Sequence, residues 1–258
     1  MKAIVDYTGF HKFSIVNLIE KLSVVALSRG EALSEVHIFV NPTKPKWKYI
    51  YKKVEGHINR LINKMPNITI SLSETINPVV DVLRLVEEIQ QTEPFFAVAT
   101  NSVYLSSLIA ERVSAEKFMI VVSQDIYNDQ ASTLEAMGIN FLIVDLLTIY
   151  EEIIRTYFGM TAQEVRQARG HPPKQEIIQA IVEMVPTKMD EIIRVIKERF
   201  GVDESYIKMS LYFLIRQGIL SAKIKTKENI KIKPGREVHK LSFQNGLTVS
   251  NMVSDTNG

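Results

Sequence analysis

The first 145 residues alternate short apolar runs with longer helical segments, and this alternation restricts the chain to few folds. Six runs are rich in β-branched and aromatic side chains, namely 2–7, 36–40, 68–72, 95–99, 118–122 and 141–144. The segments between them place apolar residues at helical spacing. Strands that alternate with helices pair in parallel, because each helix carries the chain back across the sheet. The sequence therefore predicts an α/β fold over 1–145, with a doubly wound, mostly parallel Rossmann-like sheet.

A second domain is predicted after Gly170–Pro173, because glycine and paired prolines cannot continue a helix. Residues 146–173 are predicted as a helical linker. In 174–241, three helical segments precede two runs of strict apolar–polar alternation about a polar turn, which predicts a hairpin. This order of elements resembles the winged helix-turn-helix family. The polar stretch 242–258 is predicted as a tail without an assigned role.

Positive charge is concentrated in the predicted hairpin. The whole chain has a formal net charge of only +2. Within 221–240, however, seven Lys and Arg residues stand against two acids, Glu228 and Glu237. Such a basic hairpin is typical of contact with a phosphate backbone. A solvated, lysine-rich sheet edge that discourages aggregation is an equally good interpretation of the charge alone.

The winged-helix resemblance implies double-stranded DNA as a partner, with the third helix in the major groove and the hairpin on the backbone. Acids at the start of that helix, Asp203 and Glu204, would repel phosphate, although helix capping explains them. A winged helix used for dimerisation or for a protein partner is therefore an alternative. The candidate DNA contacts are Ser205, Tyr206, Lys208, Tyr212, Arg216, Lys223, Lys225, Lys227 and Lys231.

Composition and motifs exclude several kinds of site. The chain has no cysteine, which excludes thiolate metal sites and cysteine nucleophiles. Its five histidines have no metal-ligand spacing, and GxGxxG, GxxxxGK[ST], GxSxG and HExxH patterns are absent. No metal and no cofactor is predicted. Without an apolar run of about 18 residues or a signal-like start, we expect no membrane partner and a cytoplasmic location.

Polar turns follow the first and fourth predicted strands, and helix capping would explain each of them alone. Together with MKAIVDYTGF, INPVVDVLRLVEEI and FFAVATNSVYLSSLIAERV, the layout resembles CARF domains, the CRISPR-associated Rossmann-fold sensors, some of which are joined to a winged helix. The resemblance implies a homodimer that binds a nucleotide-type ligand, such as a cyclic oligoadenylate, and relays binding to the winged helices. The fourth turn lacks the family's frequent glycine and basic residue. The implied ligand contacts are Thr8, Gly9, Phe10, Thr100, Asn101 and Ser102.

A second resemblance is to PIN-like nucleases of the NYN type, whose first strand also ends in aspartate. Asp6 and Asp81 match that pattern, whereas Asn101 stands where an acid is diagnostic. Two-metal hydrolysis needs several carboxylates around the cations, so we expect at most a weak or lost nuclease. The sequence therefore predicts a ligand-responsive, DNA-binding transcription regulator, with a metal-dependent nuclease, its inactive descendant or a slow ring nuclease as the alternative.

Overall fold

A computed structural model describes residues 1–43 and 47–238, so the predicted tail at 242–258 lies outside the described residues. Side chains at 47–50, 53, 57, 60, 63 and 64 are likewise not described. The chain divides into two compact units, Met1–Ile149 and Tyr150–Gly258. This boundary falls inside the stretch predicted as a linker. Within the described residues, no helix is long and apolar enough to cross a membrane.

The first unit is built on a parallel sheet of six described strands. They are β1 (Lys2–Asp6), β2 (Glu35–Val40), β3 (Thr69–Glu74), β4 (Phe96–Ala99), β5 (Phe118–Ser123) and β6 (Phe141–Val144). Their order across the sheet is β3-β2-β1-β4-β5-β6, so the winding reverses between β1 and β4. Val5 pairs with Ile38 on one side and with Ala99 on the other. The predicted α/β architecture is confirmed, and this strand order is consistent with a Rossmann-like fold.

Helices flank both faces of the sheet, as the alternation predicts. They are α1 (Ile15–Ser28), α2 (Trp47–Lys64), α3 (Pro78–Thr92), α4 (Val103–Ala110) and α5 (Asn128–Ala136). Apolar residues of α1 and α2 share one core cluster, which includes Leu22 and Ile58. Those of α3 and α4, such as Val86 and Leu105, belong to a second cluster. All four residues of β4 are buried, which agrees with its predicted central position.

The two edges of this sheet differ in character. Strand β3, at one edge, has an alternating polar sequence, Thr-Ile-Ser-Leu-Ser-Glu. Strand β6, at the other edge, has the apolar sequence Phe-Leu-Ile-Val. Its residues Leu142 and Ile143 are 40% and 49% exposed. The apolar edge is therefore partly open to solvent.

The second unit combines five helices with a small antiparallel sheet in its described part. The helices are α6 (Ile149–Phe158, whose first residue ends the first unit), α7 (Ala162–Gly170), α8 (Gln175–Met184), α9 (Met189–Phe200) and α10 (Glu204–Arg216). The strands β7 (Thr187–Lys188), β8 (Leu220–Thr226) and β9 (Asn229–Pro234) are arranged β7-β9-β8. The three helices and the hairpin predicted over 174–233 are confirmed, whereas β7 was not predicted. The sheet buries Ile230 and Ile232 on one face and exposes alternate residues on the other.

Candidate functional site

Two polar turns meet at the carboxyl ends of β1 and β4, where the winding of the sheet reverses. A 3-10 turn, Tyr7–Phe10, follows β1, and the loop after β4 leads into α4. The Asn101 amide donates to the Gly9 carbonyl oxygen at 3.1 Å and to the Ser123 hydroxyl at 2.8 Å. Its carbonyl oxygen accepts from the Ser123 backbone N–H at 2.9 Å. Asn101 thus joins the predicted first and fourth turns, and also β5, which the sequence did not indicate.

The Asp6 carboxylate, at the end of β1, is hydrogen-bonded to both of these turns. One carboxylate oxygen accepts from the Thr8 backbone N–H at 3.2 Å, and the other accepts from the Thr100 hydroxyl at 3.1 Å. The side chain is buried, with 6% exposed. Both oxygens of this carboxylate therefore have structural partners.

The predicted ligand contacts of the first unit differ in accessibility. The side chains of Phe10 and Thr100 are fully buried, and their contact with a ligand stays a prediction. Phe10 packs in the core near Phe13, because removing the apolar surface of its aromatic ring from water is favourable in free energy. Ser102 caps α4 by accepting from the Leu105 N–H. The hydroxyl of Thr8 is buried and has no hydrogen-bond partner among the described residues.

The carboxylates named for a nuclease have separate partners. Asp81 accepts a short hydrogen bond from Thr75 and forms an ion pair with Arg84 at 3.1 Å, whereas Asp6 accepts from Thr8 and Thr100. In the part of the chain that the structure describes, no three acidic or histidine side chains are grouped to hold a metal ion.

A basic surface covers the exposed face of the β8–β9 hairpin. Its residues Lys223 and Lys231 stand opposite each other in register. Ile224 and Ile230, the next pair, belong to the other face because side chains alternate along a strand. Four lysines and an asparagine line a groove of about 200 Å³ on the exposed face: Lys223, Lys225, Lys231, Lys233 and Asn229.

Strand β7 extends this surface by one lysine. Lys188 is exposed and stands opposite Lys231, so Lys188, Lys231 and Lys223 form a row across three strands. We call Lys188, Lys223, Lys225, Lys231 and Lys233 the lysine face. No described carboxylate lies within ion-pair distance of any of these five ammonium groups. Lys227, also predicted to contact DNA, is exposed in the hairpin turn. A two-residue strand carries no alternation, which is why the sequence did not indicate Lys188.

The side chains of α10 that were predicted to face DNA have partners within the second unit. The Ser205 hydroxyl donates a short hydrogen bond to Glu164 of α7. Lys208 pairs with Glu204 at 2.6 Å. The other two residues bond to the backbone: the Tyr206 hydroxyl accepts from the N–H of Lys174, and the Arg216 guanidinium donates to the carbonyl of Arg169.

Among the α10 residues predicted to contact DNA, Tyr212 is the most deeply buried. It is 1% exposed, and its hydroxyl donates to Glu151 of α6 at 2.5 Å. Arg169 of α7 forms two further bonds to the same carboxylate, at 3.0 and 2.6 Å. Burial, reinforced by the Glu151 carboxylate, raises the pKa of Tyr212. The expectation that Tyr212 faces outward is therefore wrong, because α6 and α7 cover this side of α10.

Comparison with known proteins adds little. No family model matches the chain, and no curated protein does. A crystal structure of a protein of unknown function from Vibrio parahaemolyticus is similar at a TM-score of 0.35 and 12% identity, over 57% of this chain and 94% of that one. A similarity this weak assigns neither a family nor a function.

Proposed function

We propose that the second unit contains a winged helix-turn-helix domain. The order α8, β7, α9, α10, β8, β9 supports this proposal, together with a sheet in which β7 pairs with β9 and β9 pairs with β8. The hairpin β8–β9 corresponds to the wing. In such domains the wing contacts the phosphate backbone or the minor groove of DNA.

We propose double-stranded DNA as the partner of this unit. The observation that carries the proposal is the set of lysines that line the groove on the hairpin and have no carboxylate partner among the described residues. Like charges opposite each other in a sheet are destabilising, as at Lys223 and Lys231, and a polyanion relieves that repulsion. Release of counterions from DNA then supplies the free energy of binding. Lys227 in the hairpin turn can add a further phosphate contact.

We propose that the first unit senses a nucleotide-type ligand, such as a cyclic oligoadenylate, and that the protein is a dimeric, cytoplasmic transcription regulator. Ligands of open α/β sheets bind beyond the carboxyl ends of the strands where the winding reverses, which here is between β1 and β4. The amino-terminal end of α4 lies at this place and suits a phosphate group. The unpartnered hydroxyl of Thr8 is a polar group that a ligand could satisfy.

Ligand binding would regulate DNA binding only through a difference in affinity. A ligand that prefers one arrangement of the dimer shifts the population toward it by no more than that difference in free energy. Its effect on DNA affinity must equal the effect of DNA on ligand affinity, because the two are linked.

The DNA proposal is tested by fluorescence anisotropy of a labelled duplex with the full chain. We expect the double variant Lys225→Ala/Lys231→Ala to bind more weakly and with a shallower dependence on salt. The matched control, Lys117→Ala/Lys197→Ala, removes two exposed lysines outside the hairpin and should bind like the wild type. Equal affinity of the two double variants would refute the proposed role of the hairpin.

The sensor proposal is tested by thermal shift with cyclic and linear oligoadenylates. We expect one of them to raise the midpoint of unfolding of the wild type, since a ligand of the native state stabilises it. Thr8→Val removes the buried hydroxyl while keeping the shape of the side chain, and should reduce the shift. Absence of any shift with the wild type would count against an oligoadenylate ligand.

A further inference from the structure

The lysine face spans all three strands of the small sheet and carries five positive charges. Cross-strand neighbours point to the same side of a sheet, so the row Lys188, Lys231 and Lys223 presents three ammonium groups in one line. Lys225, at an irregularity in the register of β8, and Lys233 lie two residues along their strands from this row, and both line the same groove as Lys223 and Lys231. These five side chains are exposed and have no carboxylate partner among the described residues.

The α10 stripe, by contrast, is held by contacts within α10 and with α6 and α7 of the same unit. We use this name for Ser205, Lys208, Tyr212 and Arg216, which lie along one side of the helix. Its members bond to Glu164, Glu204, Glu151 and the backbone of Arg169, respectively. Base edges in a major groove can be read only by side chains that project freely from a helix. The side chains of Ser205, Lys208 and Tyr212 are held in such contacts, and only Arg216, in the last turn of α10, is exposed, at 45%.

Acidic groups reinforce the difference between the two surfaces. Glu164 and Glu204 lie against the stripe, and neighbouring hydrogen bonds hold both as carboxylates. The Ser205 hydroxyl lowers the pKa of Glu164, and Lys208 lowers the pKa of Glu204. Both groups repel phosphate at neutral pH, whereas the lysine face attracts it.

We propose that the second unit binds the phosphate backbone of duplex DNA through the lysine face, Lys188 included, while α10 stays outside the major groove, so that base sequence is not read. The inference rests on the proposed function and specifies its mode. Phosphate contacts fix position and supply affinity, whereas base contacts supply specificity. Binding that uses the lysine face alone is therefore strongly salt-dependent and indifferent to sequence.

The salt dependence follows from the number of lysines. Five phosphate contacts give a slope of log affinity against log salt of about −4.5, or roughly a 500-fold loss between about 50 and about 200 mM salt. Removing one lysine lowers the magnitude of that slope by about 0.9, so the corresponding loss becomes roughly 150-fold. The salt slope therefore distinguishes a variant that lacks one phosphate contact from the protein with all five lysines.

The experiment measures anisotropy of the full chain on three duplexes of equal length and different sequence, over the same range of salt. We expect dissociation constants within about threefold of one another, since none of the bases is read. Lys188→Ala should weaken binding and flatten the slope, with Lys117→Ala as the matched control. Lys208→Ala and Tyr206→Phe, on α10, should leave affinity and slope unchanged, with circular dichroism confirming that each variant is folded.

The outcomes separate the two levels of the proposal. Failure to bind any duplex at about 50 mM salt overturns both the proposed function and this inference, because the electrostatic attraction is then strongest. Binding that is lost in the hairpin double variant but unchanged by Lys188→Ala leaves the proposed function standing and overturns the inference. So does tenfold or greater discrimination among the duplexes, or a comparable loss on Lys208→Ala.

Discussion

Tyr212 donates a 2.5 Å hydrogen bond to the carboxylate of Glu151, and this bond ties the middle of α10 to α6. Both side chains are buried, and Arg169 of α7 completes the arrangement with two bonds to the same carboxylate. A buried carboxylate is stable only while it is paired and hydrogen-bonded. The cover of α10 by α6 and α7 is therefore part of the stability of the second unit.

Tyr212→Phe removes the hydroxyl and leaves the buried Glu151 carboxylate with one donor fewer. We expect the free energy of unfolding to fall by about 1.5–3 kcal/mol, the cost of losing a hydrogen bond to a charged group. Urea denaturation followed by circular dichroism measures the change. Tyr150→Phe makes the same chemical change at a half-exposed position of α6 and should cost less than about 0.5 kcal/mol. Equal losses in the two variants would contradict the role given to Glu151.

Gly9 is required by the close approach of the two turns in the first unit. A Cβ at this position would lie 3.1 Å from the Cβ of Asn101, which is closer than ordinary van der Waals contact. Gly9→Ala should therefore destabilise the protein by about 1–2 kcal/mol through overpacking. In Gly56→Ala, in α2, the added Cβ meets no described atom within 4 Å and should stabilise by about 0.5–1 kcal/mol, because alanine is the better helix former. Thermal unfolding of both variants tests whether Gly9→Ala lowers the unfolding midpoint while Gly56→Ala raises it.

Glu164 links stability to pH through its lowered pKa. The hydrogen bond from the Ser205 hydroxyl, and next the bond from the Thr161 backbone, hold the folded pKa of Glu164 below its ordinary value of 4.5. The folded state therefore binds this proton less readily than the unfolded state. The stabilisation is fully present above the unfolded pKa and is lost as pH falls through the folded pKa.

We accordingly expect Glu164→Gln to be less stable than the wild type at neutral pH, with the difference shrinking below about pH 4.5. Urea midpoints measured across this range provide the test. Glu228→Gln, at an exposed position in the hairpin turn, serves as the control. A difference that stays constant down to the acid transition would show that the charge of Glu164 is not what stabilises the protein.

Asp6→Asn distinguishes a structural carboxylate from a metal ligand. Asp6 accepts two hydrogen bonds, and an amide nitrogen would face one of those donors, so we expect a loss of about 1–3 kcal/mol. Millimolar Mg²⁺ or Mn²⁺ should leave the unfolding midpoint of both proteins unchanged, as measured by thermal shift. Metal-dependent stabilisation of the wild type that is absent from the variant would instead favour the nuclease alternative.

Periodicity alone was sufficient to predict the main elements. The six strands of the first unit, the helices between them and the β8–β9 hairpin follow from patterns within ten to twenty residues. The turn residues were also recognisable, since Gly9 and Asn101 follow strands of the predicted sheet. Their direct hydrogen bond could be anticipated only because neighbouring parallel strands end at the same edge.

What the sequence did not reveal depends on contacts between distant segments. Tyr212 lies on the polar side of its own helix, and only the packing of α6 and α7 makes that side an interior one. Lys188 stands in a strand of two residues, too short for any alternation. The burial of Phe10 likewise depends on its neighbours in the core rather than on the turn that it ends. In these cases tertiary packing, rather than the local sequence pattern, determines where the side chain lies.

The apolar β6 strand has a consequence for handling the protein. Strand β6 is an edge strand of the described sheet with Leu142 and Ile143 exposed, and such an edge is a template on which another polypeptide can add a strand. Concentrated solutions of the protein should therefore aggregate by pairing of β6 strands from different molecules. A lysine in place of Leu142 would act as a gatekeeper and keep such preparations clear for longer.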